Sequence, residues 1–197
     1  MNKEEQDLII KRLKQSCVGI AGVGGLGSNA AISLIRAGVG SLVIVDNDRV
    51  EESNLNRQYY FSDQIGKRKV DALRENIERI TEDVHIDAYY EKLKPGNITS
   101  YFQDVDVIIE ALDNAVTKVE FIEEVLQKLP DTPVVAASGV AGYGHSDRIC
   151  TRMMGNLYVC YDENARSSDE DVLMAPKVCL MANWQANIVL ELLLGEK

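Results

Sequence analysis

An apolar run, Cys17-Val-Gly-Ile-Ala21, leads straight into Gly22-Val-Gly24-Gly25-Leu-Gly27, and a stretch with helical spacing follows. A second apolar run, Ser41-Leu-Val-Ile-Val45, is closed by Asp46. Strand, glycine-rich turn, helix, strand and terminal acid in that order are the sequence form of a nucleotide-binding βαβ unit. Gly22 permits the tight turn, Gly24 lets the backbone approach a phosphate or ribose, and Gly27 lets the helix pack on the strand. Gly25 opens the helix, whose free N–H groups and positive dipole end favour an anion. Asp46 can accept hydrogen bonds from ribose hydroxyls. The glycine pattern alone is weak; with its flanking strands and acid it predicts an adenine nucleotide without saying which one.

The rest of the chain is compatible with one domain spanning 1–197: a lead-in helix over 1–16, a nucleotide-binding core over 17–138, and a hairpin, loop and C-terminal helix over 139–197. A length of 197 residues suffices for a sizeable core. A net charge of −10 argues against a surface that coats nucleic acid. The first residues are polar and acidic, no run approaches a membrane span, and the expected location is the cytoplasm, with no membrane partner. None of Cys17, Cys150, Cys160 and Cys179 forms a CxxC pair, so no structural zinc is expected and the thiols are expected to be reduced.

Periodicity predicts helices from about Gly25 to Ala37, capped by Gly38, from about Lys67 to Ile80, and from about Ala115 to Leu129. The last of these is read with Val116, Val119, Ile122 and Val125 on its buried face. Further strands are expected at Val84–Tyr89, Val105–Ile109 and Val134–Ala137, with a short helix or turn over Pro95–Phe102. This alternation implies an α/β fold, a Rossmann-like, doubly wound, mainly parallel sheet. After Ser138 the pattern changes: Arg148–Met153 and Asn156–Tyr161 read as an antiparallel hairpin, and Asp162–Ala175 as a mobile loop. Pro176 opens a last helix, apolar almost all round, that belongs in the core or in a subunit interface.

Past Asp46 the chain continues Asn47-Asp48-Arg-Val-Glu-Glu-Ser-Asn54-Leu-Asn-Arg57-Gln58, with Gly66-Lys67-Arg68-Lys69 soon after, and the strand ending near Ile109 runs on into Glu110-Ala-Leu-Asp113-Asn114. An NAD enzyme has no particular need for these cations and a strand-end aspartate. An enzyme attacking the α-phosphate of ATP needs both: cations to neutralise the pentacovalent transition state, and a carboxylate to hold the magnesium that leaves with pyrophosphate. Lys69 precedes Val70, the first buried residue of its helix, which would let its ammonium emerge at the pocket rim.

The segments VGIAGVGGLGSNAA, VDNDRVEESNLNRQYY, IGKRKVDALRENI and EALDNAVTK resemble those of the ThiF/MoeB/HesA family of ubiquitin-activating-like adenylyltransferases. The resemblance covers about Cys17 to Ser138, with a weaker fit at Trp184-Gln185-Ala186-Asn187. It is nearest to the short form of ThiF, which serves the thiamine sulfur carrier, because the chain stops where longer members continue. It implies an acyl adenylate made from ATP and Mg2+ on the C-terminal glycine carboxylate of a ubiquitin-fold sulfur carrier ending in Gly-Gly, by an enzyme expected to be a homodimer. By motif, Asp46 holds the ribose, Asp48 orients the loop, and Asn54, Arg57 and Gln58 line the phosphates. Lys69 sits over the α-phosphate and Asp113 coordinates magnesium; Arg57, Lys69 and Asp113 are the catalytic candidates. The family's Arg-Tyr-x-Arg-Gln motif is missing ahead of the glycine loop, and Arg12 is not given its role. The zinc CxxC pairs of longer relatives are missing too.

Plainer readings stand beside these. Asp113 could be a helix cap, Asp48 a loop hydrogen-bonding group, and Lys67 and Arg68 exposed charges. Tyr59, Tyr60 and Phe61 could pack the crossover segment, and His85 and His145 are read as structural. No cysteine is marked as the carrier of a thioester or persulfide. Rival functions are activation of a peptide or tRNA-nucleoside carboxylate, an NAD-linked oxidoreductase, and a non-catalytic module that docks a carrier.

Overall fold

The computed structural model describes residues 2–144, 146–165 and 171–195. His145 and the middle of the expected mobile loop, 166–170, lie outside the described residues. Helix α1 (Lys3–Gln15) leads into β1 (Cys17–Ala21), α2 (Gly25–Ala37), β2 (Ser41–Asp46), α3 (Lys69–Glu78) and β3 (His85–Tyr90). Then follow β4 (Val107–Glu110), α4 (Ala115–Lys128), β5 (Val134–Ser138), β6 (Ile149–Met154), β7 (Leu157–Asp162) and α5 (Ala175–Leu194). Seven strands form one sheet in the order β3-β2-β1-β4-β5-β7-β6, parallel throughout except for the β6–β7 hairpin. Strand β7 pairs in parallel with β5, so the hairpin extends the main sheet. The fold is Rossmann-like and doubly wound.

Alternate strand residues feed two cores. Val18, Ile20, Leu42 and Ile44 meet Ala30 and Leu34 of α2, Val70 and Leu73 of α3, and Met181 and Val189 of α5. On the opposite face Ala21, Val43, Val45 and Ile108 meet Ile98, Phe102, Phe121 and Val125. The apolar α5 is a core helix packed against α2, with Leu180 and Trp184 partly exposed on its outer side. No helix of the described residues is long and apolar enough to cross a membrane.

Two sequence expectations change. Helix α3 begins at Lys69 rather than Lys67, because Arg68 is extended and the Lys69 N–H goes to the Asp48 carbonyl at 2.9 Å. On α4, Val116 and Val119 are 67% and 54% exposed. The inward stripe runs instead through Lys118, Phe121, Ile122 and Val125, since Lys118 turns toward the sheet to pair with Glu110.

Candidate nucleotide site

The carboxyl ends of β1, β2 and β4 lie level, with Ala21 in register with Val45 on one side and Glu110 on the other. The strand order reverses here, because β2 lies on one side of β1 and β4 on the other, and such a switch point is where open parallel sheets bind ligands. The glycine turn crosses this point. Gly22 has φ +87°, and a Cβ on it would lie 2.8 Å from the Ala111 carbonyl oxygen. On Gly27 a Cβ would lie 1.9 Å from the Gly22 oxygen, and on Gly25 it would meet Val178 of α5 at 2.9 Å. These three glycines are demanded by the protein's own packing. Gly24 differs: a Cβ there would meet only Gln58 Nε2, at 3.7 Å. The open space needed for a ligand is at Gly24, which also caps α2 without a side-chain hydrogen bond and leaves the helix N–H groups available.

The segment between β2 and α3 braces this turn. The Ser28 hydroxyl donates to the Gly24 carbonyl at 2.6 Å and accepts the Tyr59 N–H at 3.0 Å. Tyr60 is buried and its hydroxyl donates to the Val23 carbonyl at 2.6 Å, so it packs the crossover segment as the sequence suggested. Asp46 accepts the Val23 N–H at 2.8 Å and the Asp48 N–H at 2.7 Å, one on each carboxylate oxygen. Each oxygen keeps a lone pair for a hydroxyl donor. Burial raises the Asp46 pKa, against the nearby Lys69 charge.

Lys69 does not stand free at a rim. Its side chain is 7% exposed and its Nζ lies 2.8 Å from Asp48 Oδ2, whose side chain is 54% exposed. Arg57 lies beside the start of α2, its Cγ 3.9 Å from the Gly25 Cβ position, while Asn29 Nδ2 donates to its carbonyl at 2.9 Å. Its guanidinium donates to the Ser53 carbonyl at 3.0 Å and to Asn56 Oδ1 at 2.8 Å. Next to Gly24, Gln58 carries a buried Oε1 with no hydrogen-bond partner among the described residues, the kind of group a ligand satisfies. Asn54 is turned inward: it is buried, accepts the Glu51 N–H at 3.2 Å and donates to Ser53 Oγ at 3.3 Å. It shapes the loop, whereas Gln58 reaches Gly24 with its Nε2.

Asp113 follows β4 and is exposed. The cap of α4 is Asn114, whose Oδ1 accepts the Val116 and Thr117 N–H groups at 3.0 Å each. The capping alternative for Asp113 therefore falls, and its carboxylate accepts no hydrogen bond from the described residues. Among those residues no group of three or more His, Cys, Asp or Glu comes together as a metal cage. A single free carboxylate suits magnesium, which commonly takes one or two carboxylates plus substrate phosphate oxygens. Burial pushes the Cys17 thiol up to about 11 and the Cys160 thiol up to about 12, and raises that of Cys179, so these three are held as thiols. Lys67 pairs with Glu75 at 2.7 Å and Arg68 stacks over Tyr90, both at the surface.

Sequence reasoning missed two buried ion pairs. Glu110, the last residue of β4, pairs with Lys118, and Asp162 at the end of β7 pairs with Lys177 of α5 at 2.7 Å. For Glu110 there was a signal, an acid directly after three apolar strand residues. For Asp162 and Lys177 there was none, because the two lie fifteen positions apart in the sequence and only the fold brings the strand end to the helix.

A profile described as the ThiF family matches residues 3–197, well beyond the 17–138 over which the motifs were read. The chain is 31% identical over 191 residues to the adenylyltransferase and sulfurtransferase UBA4 of Candida glabrata, covering 93% of this chain and 44% of that protein. It is 30% identical over 193 residues to the sulfur carrier protein ThiS adenylyltransferase of Bacillus subtilis, covering 95% of this chain and 57% of that protein. The chain thus spans about half the length of these curated relatives. Among solved structures, the tRNA N6-threonylcarbamoyladenosine dehydratase TcdA of E. coli, in complex with ATP, superposes with a TM-score of 0.87 over 95% of this chain and 89% of that one. At 18% identity that likeness speaks for the fold alone.

Proposed function

We propose that this chain, which belongs to the ThiF family, is an ATP-dependent adenylyltransferase of the cytoplasm. Its substrate is the C-terminal glycine carboxylate of a ubiquitin-fold sulfur carrier, of the kind named in its Bacillus subtilis relative. A carboxylate oxygen attacks the α-phosphorus of ATP, the bond to the β-phosphate oxygen breaks, and pyrophosphate leaves as the acyl adenylate forms. The carboxylate is ionised at neutral pH, so no general base is required. Asp46 holds the ribose, Gly24 and the α2 N-terminus receive the phosphates, and Gln58 donates from Nε2 to a phosphate oxygen while its unpaired Oε1 accepts from a nucleotide hydroxyl. Lys69 and Arg57 counter the charge that grows on the α-phosphate oxygens. Asp113 would hold magnesium, which bound there would neutralise the departing pyrophosphate.

The observation that carries this reading is the buried Lys69 ammonium beside Asp46 and the open Gly24 turn. Its carboxylate partner, Asp48, faces solvent and can yield the ammonium to an incoming phosphate. A nicotinamide site has no use for such a cation. On this reading the chain acts as one nucleotide-binding domain in a homodimer, a state supported by the apolar surface that Leu8 and Ile10 expose on α1. The test is ATP–pyrophosphate exchange with small ubiquitin-fold proteins ending in Gly-Gly. Exchange that requires the intact Gly-Gly end supports the reading. Exchange with an unrelated peptide or a tRNA nucleoside moves the substrate elsewhere in the family, and tight NAD binding without ATP binding ends the proposal.

A further inference from the structure

Glu110 lies outside the nucleotide contacts assigned above, yet it is wholly enclosed at the end of β4. One carboxylate oxygen accepts the Leu112 N–H at 2.8 Å, and the other is joined by Lys118 Nζ. The same ammonium donates to the Ala137 carbonyl of β5 at 3.1 Å. Gln185 of α5 donates to the backbone carbonyls of Glu110 and Val135 at 3.1 and 2.9 Å. One acidic residue thus joins β4, β5, α4 and α5 directly beneath the loop 111–114. For stability alone an apolar pair of similar volume would serve as well, because desolvating two charges offsets most of their attraction. A different gain is visible in the loop. Its first half is pinned by the Leu112 N–H on Glu110, and its second half by Asn114 capping α4. Asp113 stands between the two fixed points with its own side chain exposed.

We propose that Glu110, locked in place by Lys118, is the positioning residue that aims the Asp113 carboxylate at the magnesium ion of the bound nucleotide. The inference rests on the adenylyltransferase reading and adds to it the group that orients the metal ligand. Groups that orient metal ligands through hydrogen bonds typically account for about 10–100-fold in metal affinity. The test is calorimetric titration of the protein with ATP, with magnesium present and with magnesium chelated. Glu110→Gln keeps the volume and removes the charge that holds Lys118. It is expected to lose about tenfold or more of the affinity that magnesium adds, while metal-free ATP binds as to the wild type. Lys118→Met should show the same loss, and Lys118→Arg, which keeps the charge and the donors, should restore most of it. Hydrogen exchange over residues 111–114 should accelerate in Glu110→Gln without acceleration in α2 or β1.

Should Glu110→Gln fail to fold, the double variant Glu110→Met with Lys118→Leu replaces the pair by apolar side chains and must show the same selective loss. A folded variant that keeps the full magnesium gain overturns the inference. So does equal weakening of metal-free ATP, which marks a general structural role. A wild type that binds no ATP under either condition instead removes the adenylyltransferase reading itself.

Discussion

Two ion pairs flank the glycine turn, and they are built in opposite senses. On the β2 side the buried member is the cation, with Lys69 7% and Asp48 54% exposed. On the β4 side the buried member is the acid, with Glu110 0% and Lys118 22% exposed. The difference shows what each side is for. A buried cation whose partner faces solvent can exchange that partner for a phosphate at little cost, because water takes over the released carboxylate. A fully enclosed carboxylate whose partner is also tied to a backbone carbonyl can exchange with nothing, since removing either member leaves a buried charge uncompensated. The first pair is suited to meeting a ligand, the second to holding a loop still.

The largest effect expected of this contrast is kinetic. Lys69→Ala should lower the pyrophosphate-exchange rate by about 10²–10³-fold, the scale for removing one donor aimed at developing charge. Retention of most of the rate would mean that Lys69 serves only Asp48. The next effect separates the turn's structural glycines from its open one. Gly27→Ala places a methyl 1.9 Å from the Gly22 oxygen and should destabilise by about 3 kcal/mol, roughly 6–12 °C in Tm for a chain of this size. Gly24→Ala, with only Gln58 near, should leave Tm close to wild type and weaken ATP binding in a titration. Equal Tm losses in the two variants would erase the distinction.

A smaller effect appears only in acid. Burial opposes ionisation of Asp162, but the Lys177 hydrogen bond, the Asn164 N–H and the Lys177 and Arg148 charges outweigh it and hold its pKa below the usual value. A carboxylate with a lower pKa folded than unfolded adds stability above its unfolded pKa of about 4 and loses it as pH falls through the folded value. Asp162→Asn should therefore flatten the drop in Tm below pH ~4, and an unchanged acid limb would count against the pair's strength. The least effect is expected at the surface. Lys67→Ala breaks an exposed pair with Glu75 and should change stability by less than about 0.5 kcal/mol, measured by denaturant titration.

Most of the βαβ core was legible because its signals are local. Gly22, Gly24 and Gly27, the alternation of β1 and β2, and Asp46 at a strand end each follow from backbone geometry within a few residues. The neighbourhood of Asp113 was only half legible. Its place after a parallel strand was evident, but the neighbour that caps α4 had to be seen before the capping alternative could be dropped. Asn54 sits in a motif with Arg57 and Gln58, yet its side chain closes its own turn while Gln58 opens toward Gly24. Val116 and Val119 misled because period counting takes every apolar residue as inward. A lysine that turns inward to meet a buried acid rotates the true stripe by two positions.

The chain by itself determined a doubly wound parallel sheet with a glycine turn and an acid at its switch point, because strand periodicity, turn sterics and crossover handedness act over short spans. Only the tertiary structure decided which charges are enclosed and with whom: Lys69 with Asp48, Glu110 with Lys118, Asp162 with Lys177. Burial of a charge depends on what distant elements lay over it, and no local pattern in the sequence carries that information.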